Sequence, residues 1–353
     1  MSRLLIAGYP DEVHVGSHFL AAARTLEIDA AISDVREAQK APWLVKKVNW
    51  WLRGHRAGAM DSYGRGLIEH CRSFRPDLLL CTGTCPVDRE TLLAVRELGI
   101  VTANYVTDDP WNPRFRAPWF LSALTCYDRV YTPRRANIED LRNAGCAKVE
   151  YLPFAYAPEV HYPETCENPE CPPASDVVFA GGGDRDRIPY AKALIDAGLT
   201  LALYGGRWNR FMAARPYWRG HGSASTIRKA LKSSKIALCL VRRANRDGNC
   251  MRTFEVPATG CCMLTEDTED HRMLFGAEGE SVLYFNTIPE MVKKAVWLTG
   301  NAPERARLSA EAHRRITSGG HTYADRLATI LRAEADRAGA TDNEMVRERN
   351  GAD

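Results

Sequence analysis

Apolar positions in this 353-residue chain come in short runs, separated by stretches with the spacing of a helix buried along one face. Residues 3–8 (RLLIAG) form such a run and close on glycine, and 18–27 (HFLAAARTLE) follow with helical periodicity. The same alternation predicts strands near 28–33, 76–83, 100–109, 128–133 and 148–156, with helices near 65–75, 88–99, 119–127 and 135–145. Strands and helices alternating at this spacing imply βαβ units and a parallel sheet.

The pattern breaks at 157–174 (APEVHYPETCENPECPPA), where Pro and acids replace apolar periodicity, as in a linker between domains. It restarts at 176-DVVFAGGG-183. Strands are predicted near 199–206, 235–242, 261–267 and 281–285, and helices at 188–197, 224–232, from about 252, at 288–299 and at 303–315. The expected organisation is a domain over 1–157, a linker over 158–174, a second domain over 175–318 and a polar, flexible tail over 338–353. The fold class is α/β, with two Rossmann-like doubly wound parallel-sheet domains facing across a cleft. Open sheets of this kind bind ligands at the carboxyl ends of their strands, where every unusual loop of this chain lies.

Composition narrows the partners only slightly. With 45% apolar residues, 26% charged residues and a net charge of +3, the chain resembles neither a nucleic-acid binder nor a disordered protein. Its 11 cysteines are odd in number and scattered through predicted strands, which favours a reducing compartment. Charge enters by Asp11, leaving no room for a signal-peptide apolar region, and no apolar run approaches the roughly 20 residues of a membrane span. A cytoplasmic location is expected. Cys166 and Cys171 lack a second pair at metal spacing, so no zinc is inferred.

Four loops carry candidate chemistry. In 245-NRDGNCMRTFEVPATGCCMLTED-267 a helix starting near Thr253 places Arg252, Thr253 and Glu255 in its first turn. A carboxylate there can accept from a pair of sugar hydroxyls, while the free N–H groups suit a phosphate. The plainer alternative is that Glu255 complements the helix dipole. In 180-AGGGDRDR-187, Gly182 and Gly183 let backbone approach a phosphate, and Arg185 or Arg187 can neutralise a diphosphate. The alternative is a simple turn with solvated arginines. This loop is not GxGxxG, which weighs against a dehydrogenase.

In 107-TDDPWNPRF-115, Asp108 or Asp109, with Asp109 favoured, could orient or deprotonate an acceptor hydroxyl, and Trp111 could stack on a sugar. Asp-Pro is equally ordinary turn chemistry. Tyr204, at the head of 204-YGGRW-208, could touch a nucleotide base. Separately, 43-WLVKKVNWWLRGHR-56 mixes aromatic and basic residues, as in a helix meeting a membrane or an acceptor, or in a solvated helix with a tryptophan stripe facing the core.

The segments RTFEVPATGCCMLTEDTEDHRMLF and SVLYFNTIPEMVKKAVWLTGNAPERARLSAEAHRRITSGGHTYADRL resemble the C-terminal half of the CgeB-like glycosyltransferases, a branch of the GT-B class. FRPDLLLCTGTCPVDRETLLAVRELGIVTANYVTDDPW resembles that family's N-terminal domain, so the likeness spans about residues 3–335. It implies a GT-B enzyme of hexosyltransferase type, with the sugar nucleotide on the second domain and the acceptor on the first. Chemistry without a bound metal or other cofactor and, by analogy with retaining relatives, retention of configuration are also implied.

In such relatives two acids with seven residues between them serve the donor. Asp247 and Glu255 have that spacing, with Asp where the first acid is usually Glu. The resemblance also places the loop 8-GYPDEVHVGS-17 under the phosphates or near the reaction centre, making Gly16 a donor-binding candidate and His14 and His18 candidates, His14 as catalytic, although a lone histidine is more often structural; it gives His321 a structural role at a last helix (319–337) that crosses back to the first domain. A UDP-sugar is the default donor. The alternatives are a nucleotide-sugar-binding or assembly protein without transfer activity, and a sugar-nucleotide epimerase of the same fold.

Overall fold

The apolar runs become two parallel sheets in the computed structural model, which describes residues 3–165 and 172–334. The first lobe contains β1 (Arg3–Gly8), α1 (Val15–Thr25), β2 (Asp29–Asp34), α2 (Trp43–Leu52), α3 (Met60–Phe74), β3 (Leu78–Thr82), α4 (Arg89–Glu97), β4 (Val101–Tyr105), α5 (Pro118–Leu124), β5 (Arg129–Thr132), α6 (Ala136–Asn143) and β6 (Val149–Tyr151). The second contains β7 (Ser175–Ala180), α7 (Ile188–Asp196), β8 (Leu201–Tyr204), α8 (Ala224–Ser233), β9 (Ser234–Cys239), α9 (Met251–Ala258), β10 (Met263–Glu266), α10 (Glu269–Phe275), β11 (Leu283–Phe285), α11 (Ile288–Gly300) and α12 (Ala302–Ser318).

Strand order is β2-β1-β3-β4-β5-β6 in one sheet and β11-β10-β9-β7-β8 in the other. In each lobe the chain leaves its first strand to one side and returns on the other, so order reverses between β1 and β3 and between β7 and β9. Loops beyond such a reversal diverge and leave a crevice. The loops after β1 and β3 therefore face those after β7 and β9.

Side-chain alternation explains the layers. Leu4 and Ile6 of β1 pack with Phe19 and Ala23 of α1, whereas Leu5 and Ala7 pack with Leu67 of α3 and Leu92 and Val95 of α4. Helices thus cover both faces, which is why the central strands read as unbroken apolar runs. In β7, Val178 joins the same core as Leu4, while Val177 and Phe179 meet Ala191 and Leu194 of α7.

A single core crosses the seam between the lobes. It includes Leu152, Phe154 and Tyr156 of the segment after β6 and Tyr323, Leu327 and Ile330 of a final helix over 323–334. That helix lies against the first lobe. Tyr323 meets Phe19 edge-on at 5.3 Å, and Arg326 donates to the Pro153 carbonyl at 3.0 Å. Burying Tyr323, Leu327 and Ile330 contributes roughly 2 kcal/mol each.

Several local readings differ from the sequence expectation. The strand predicted over 148–156 pairs only over Val149–Tyr151, and Pro153 has no N–H with which to extend a ladder. The strand predicted to reach 109 ends at Tyr105. Helix α9 starts at Met251, two residues earlier than the sequence suggested, so Pro257 falls inside it and Glu255 lies beyond its first turn. Gly260 follows α9 at φ 73°, a left-handed conformation. Helix α10, which the periodicity did not reveal, has seven residues, too few for a pattern. The middle of the predicted linker, with Cys166 and Cys171, and the predicted tail lie outside the described residues. Among the described residues no helix is long and apolar enough to cross a membrane.

Candidate active site

The facing loops enclose a cavity of about 570 Å³. Tyr9, His14 and Gly16 after β1, Thr82 to Pro86 after β3, and Asp108 after β4 form one wall. Phe179 to Gly182 at the end of β7, Arg242 and Asp247 after β9, and the first residues of α9 form the other.

Four guanidinium groups converge there. Arg187 donates to the Gly182 carbonyl at 2.9 Å and lies 5.3 Å from the centre of the Phe179 ring. Burial, then the neighbouring Arg242, lowers its pKa. Arg252 donates through Nε to the Ala180 carbonyl at 2.9 Å, leaving its terminal nitrogens between the cavity and Glu255. Arg134, fully buried at the end of β5, donates to the Thr107 carbonyl at 2.6 Å and pairs with Asp247 across the lobes. Burial raises the Asp247 pKa, and the charge of Arg134 opposes that rise. A protein wall so rich in fixed cations suits an anion.

The two adjacent acids of the first lobe separate in role. Asp108 lines the cavity with its side chain 45% exposed, accepting from Asn245 Nδ2 at 3.0 Å. Asp109, favoured from sequence as the base, is buried. One of its oxygens accepts from the Trp111 N–H at 2.9 Å, and the other from Arg246 Nε of the opposite lobe at 2.6 Å. A carboxylate so committed to a turn and an ion pair has no face toward the cavity. Trp111 is likewise packed against the first-lobe core rather than presented to a sugar.

Glu255 is also not part of the cavity wall. It is 2% exposed beneath Arg252, with which it forms an ion pair. On its other side stands His161, whose Nε2 lies 3.5 Å from Oε1, and beyond that the buried His18. The Ala157 N–H donates to His161 Nδ1 at 3.1 Å, so the ring proton sits on Nε2 and points at Glu255. Ligand atoms of His18, His161 and Glu255 lie within 4.8 Å of one another. They do not fit a metal ion, because the available nitrogen of His161 carries a proton. Burial pushes the pKa of His18 down to about 4 and that of His161 down to about 2, so both rings are neutral. The expectation that Glu255 meets a ligand directly from a first helical turn is corrected: Arg252 stands between it and the cavity.

The remaining expected residues divide in the same way. His14 precedes α1, stacks on Tyr9 at 4.9 Å and lines the cavity, with its pKa lowered chiefly by burial. Gly16 is required by contact: a Cβ there would lie 2.9 Å from the Tyr9 carbonyl oxygen. Gly182 lines the cavity, but Gly183 lies under the Trp208 indole, which a Cβ would approach to 2.8 Å. Arg185 faces a separate cavity of about 290 Å³ beside Tyr190 and Glu266. Thr253 is buried; its Oγ1 accepts from the Cys250 N–H at 3.0 Å and bonds His271 Nε2 at 2.9 Å, which makes it a helix cap. Tyr204 is buried in the second lobe and does not reach the cavity. His321 pairs with Arg326 at 3.1 Å at the root of the final helix.

Sequence reasoning missed Arg134, Arg242 and Asn245. Arg134 and Arg242 each follow an apolar strand, the one signal that could have marked them. It missed equally the contacts that close the lobes. Besides Arg134 with Asp247 and Arg246 with Asp109, Arg246 reaches Asp140 at 2.7 Å, Arg135 reaches Asp270 at 2.9 Å, and Asn112 donates to Asn245 at 2.8 Å.

Residues 188–332 match the model of a family described as glycosyl transferase-like. No curated protein sequence matches the chain. Among solved structures, sucrose-phosphate synthase from Thermosynechococcus elongatus superposes with a TM-score of 0.68 at 10% identity, covering 96% of this chain and 100% of that one. Anabaena HepE in complex with UDP gives 0.59 at 12% identity, covering 95% and 100%. A putative UDP-N-acetylglucosamine 2-epimerase from Listeria monocytogenes gives 0.57 at 12%, covering 95% and 97%. The two parallel-sheet lobes facing across a cleft have the GT-B fold.

Proposed function

We propose that this chain is a GT-B glycosyltransferase of the CgeB-like branch, moving a hexose from a nucleoside diphosphate donor, UDP-sugar by default, to a hydroxyl acceptor. The observation that carries the reading is the convergence of Arg134, Arg187, Arg242 and Arg252 on one interlobe cavity, opposite the exposed carboxylate of Asp108. Its volume of about 570 Å³ falls in the range of small-molecule sites.

When the bond from sugar to diphosphate breaks, negative charge grows on the leaving oxygens. Guanidinium groups already fixed by carbonyls at Ala180 and Gly182 stabilise that charge without reorganising. Asp108 orients the acceptor hydroxyl from the other lobe, and the contacts between lobes exclude water that would compete with it. Glu255 acts through Arg252 as a positioning residue. Retention of configuration and chemistry without a metal complete the proposal, supported by the resemblance to retaining relatives.

The test is a thermal-shift panel of nucleoside diphosphate sugars. A donor at 100 times its dissociation constant adds about 2.7 kcal/mol of stability, and Arg187→Ala and Arg252→Ala are expected to abolish the shift. Donors that stabilise neither the native protein nor any variant, or all of them equally, would remove the site assignment. Conversion of a donor alone into its epimer would replace transfer with epimerisation.

A further inference from the structure

Helix α2 is turned inside out. Its buried residue is the polar Asn49, whose Nδ2 reaches the Ala57 carbonyl at 3.4 Å, while Trp43, Leu44, Trp51 and Leu52 are 72%, 57%, 74% and 79% exposed. Leu44, Val48, Trp51 and Leu52 follow the i, i+4, i+7, i+8 spacing of one helical face. In α1 the apolar face is buried around Phe19 and Ala23; in α2 it is exposed. A contiguous apolar face of this kind marks an interaction site rather than scattered surface residues.

Charge identifies the partner. From Ala38 to Met60 the chain carries Lys40, Lys46, Lys47, Arg53 and Arg56 and no acid. Lys40 is paired with Glu37, and Arg56 with Asp61 and Asp88. Lys46, Lys47 and Arg53 have no ion pair among the described residues and are exposed beside the apolar face. Tryptophan rings favour the boundary between water and hydrocarbon, and long cationic side chains reach from there to phosphate. Residues 335–353 carry only Met345 and Val346 as large apolar side chains, which makes that stretch a poor cover for three tryptophans.

We propose that α2 is an interfacial anchor that docks this chain on the surface of an anionic lipid bilayer. Leu44, Val48, Trp51 and Leu52 enter the headgroup boundary, and Lys46, Lys47 and Arg53 meet lipid phosphates. The placement has a consequence for the cavity. Val35 and Gln39 line it, and only Lys40, Ala41 and Pro42 separate Gln39 from α2, a span of at most about 14 Å. A docked α2 therefore holds the cavity close to the bilayer. This inference does not depend on what the cavity binds.

Co-sedimentation of the full chain with vesicles tests it, comparing phosphatidylcholine alone with an equal mixture of phosphatidylcholine and phosphatidylglycerol. Binding to the mixed vesicles is expected, weakened by salt. It should fall about tenfold or more in Trp51→Ser/Leu52→Ser and in Lys46→Ala/Lys47→Ala, with unchanged melting curves. Absence of binding to the anionic vesicles, or binding by either double variant as strong as that of the native chain, overturns the proposal. So does a dimer of the native chain that Trp51→Ser/Leu52→Ser converts to monomer, which would assign the face to a second copy.

Discussion

Asp108 with Asp109 in the first lobe and Asp247 with Glu255 in the second form two acid pairs built on one plan. In each pair one carboxylate reaches the cavity and the other is buried as a brace for an arginine: Asp109 for Arg246, Glu255 for Arg252. The difference lies in the acids that reach the cavity. Asp108 is half exposed with a neutral amide as its near partner, whereas Asp247 is buried against Arg134. An exposed acid can exchange its partner for a ligand at little cost. A buried, paired one cannot, because removing either charge strands the other.

The largest effect should come from breaking the buried pair. Arg134→Met leaves Asp247 as an uncompensated charge and is expected to lower unfolding free energy by about 3–5 kcal/mol, measured by urea denaturation. A loss below about 1 kcal/mol would place Asp247 among solvated acids and erase the contrast.

Next comes the comparison within the first-lobe pair. Asp108→Asn should reduce transfer by about 100-fold, near the lower end of the range for a positioned acid or base. Asp109→Asn keeps an oxygen for the turn at Trp111 and loses only its charge toward the half-exposed Arg246. It should cost about 1 kcal/mol of stability or less and leave transfer within a few-fold. Reversal of the two outcomes would restore the sequence preference for Asp109.

The last comparison is a pH dependence beside Glu255. His18 and His161 are held neutral with pKa values near 4 and near 2, below the ordinary value of about 6.5. Between pH 6.5 and 4 the unfolded chain binds protons at these rings and the folded chain does not. Stability is therefore full above 6.5 and falls as pH drops, by up to about 2.7 kcal/mol per pH unit for the two rings. His161→Gln should reduce that slope by up to half. An unchanged slope in chemical denaturation across this range would mean that His161 does not report on the seam.

Much of the architecture was legible because it rests on periodicity. The strands of both sheets lie within two or three residues of their expected positions at most boundaries. Asp247 and Arg187 were identifiable as cavity residues by their position after strands. The shortfalls have separate causes. Thr253 and Gly183 match the chemistry of ligand contacts but serve a helix cap and the close packing of Trp208, uses that look identical in sequence. Arg134 and Arg242 were invisible because an arginine after a strand is usually solvated; only the tertiary structure shows that Arg134 is buried against the opposite lobe and that the partly exposed Arg242 lines the cavity.

What the sequence determined alone is the order and type of elements, since burial of apolar runs between helices depends on spacing within the chain, and the presence of acids and arginines at strand ends. Tertiary structure alone decided which carboxylate of each pair meets the cavity and which arginine covers Glu255. Those outcomes depend on residues more than a hundred positions apart, such as Asp109 with Arg246 and Arg134 with Asp247, competing for the same partners across the seam. Local pattern carries no record of that competition, because a carboxylate is equally soluble in water, in an ion pair or at a helix terminus until the opposite wall is in place.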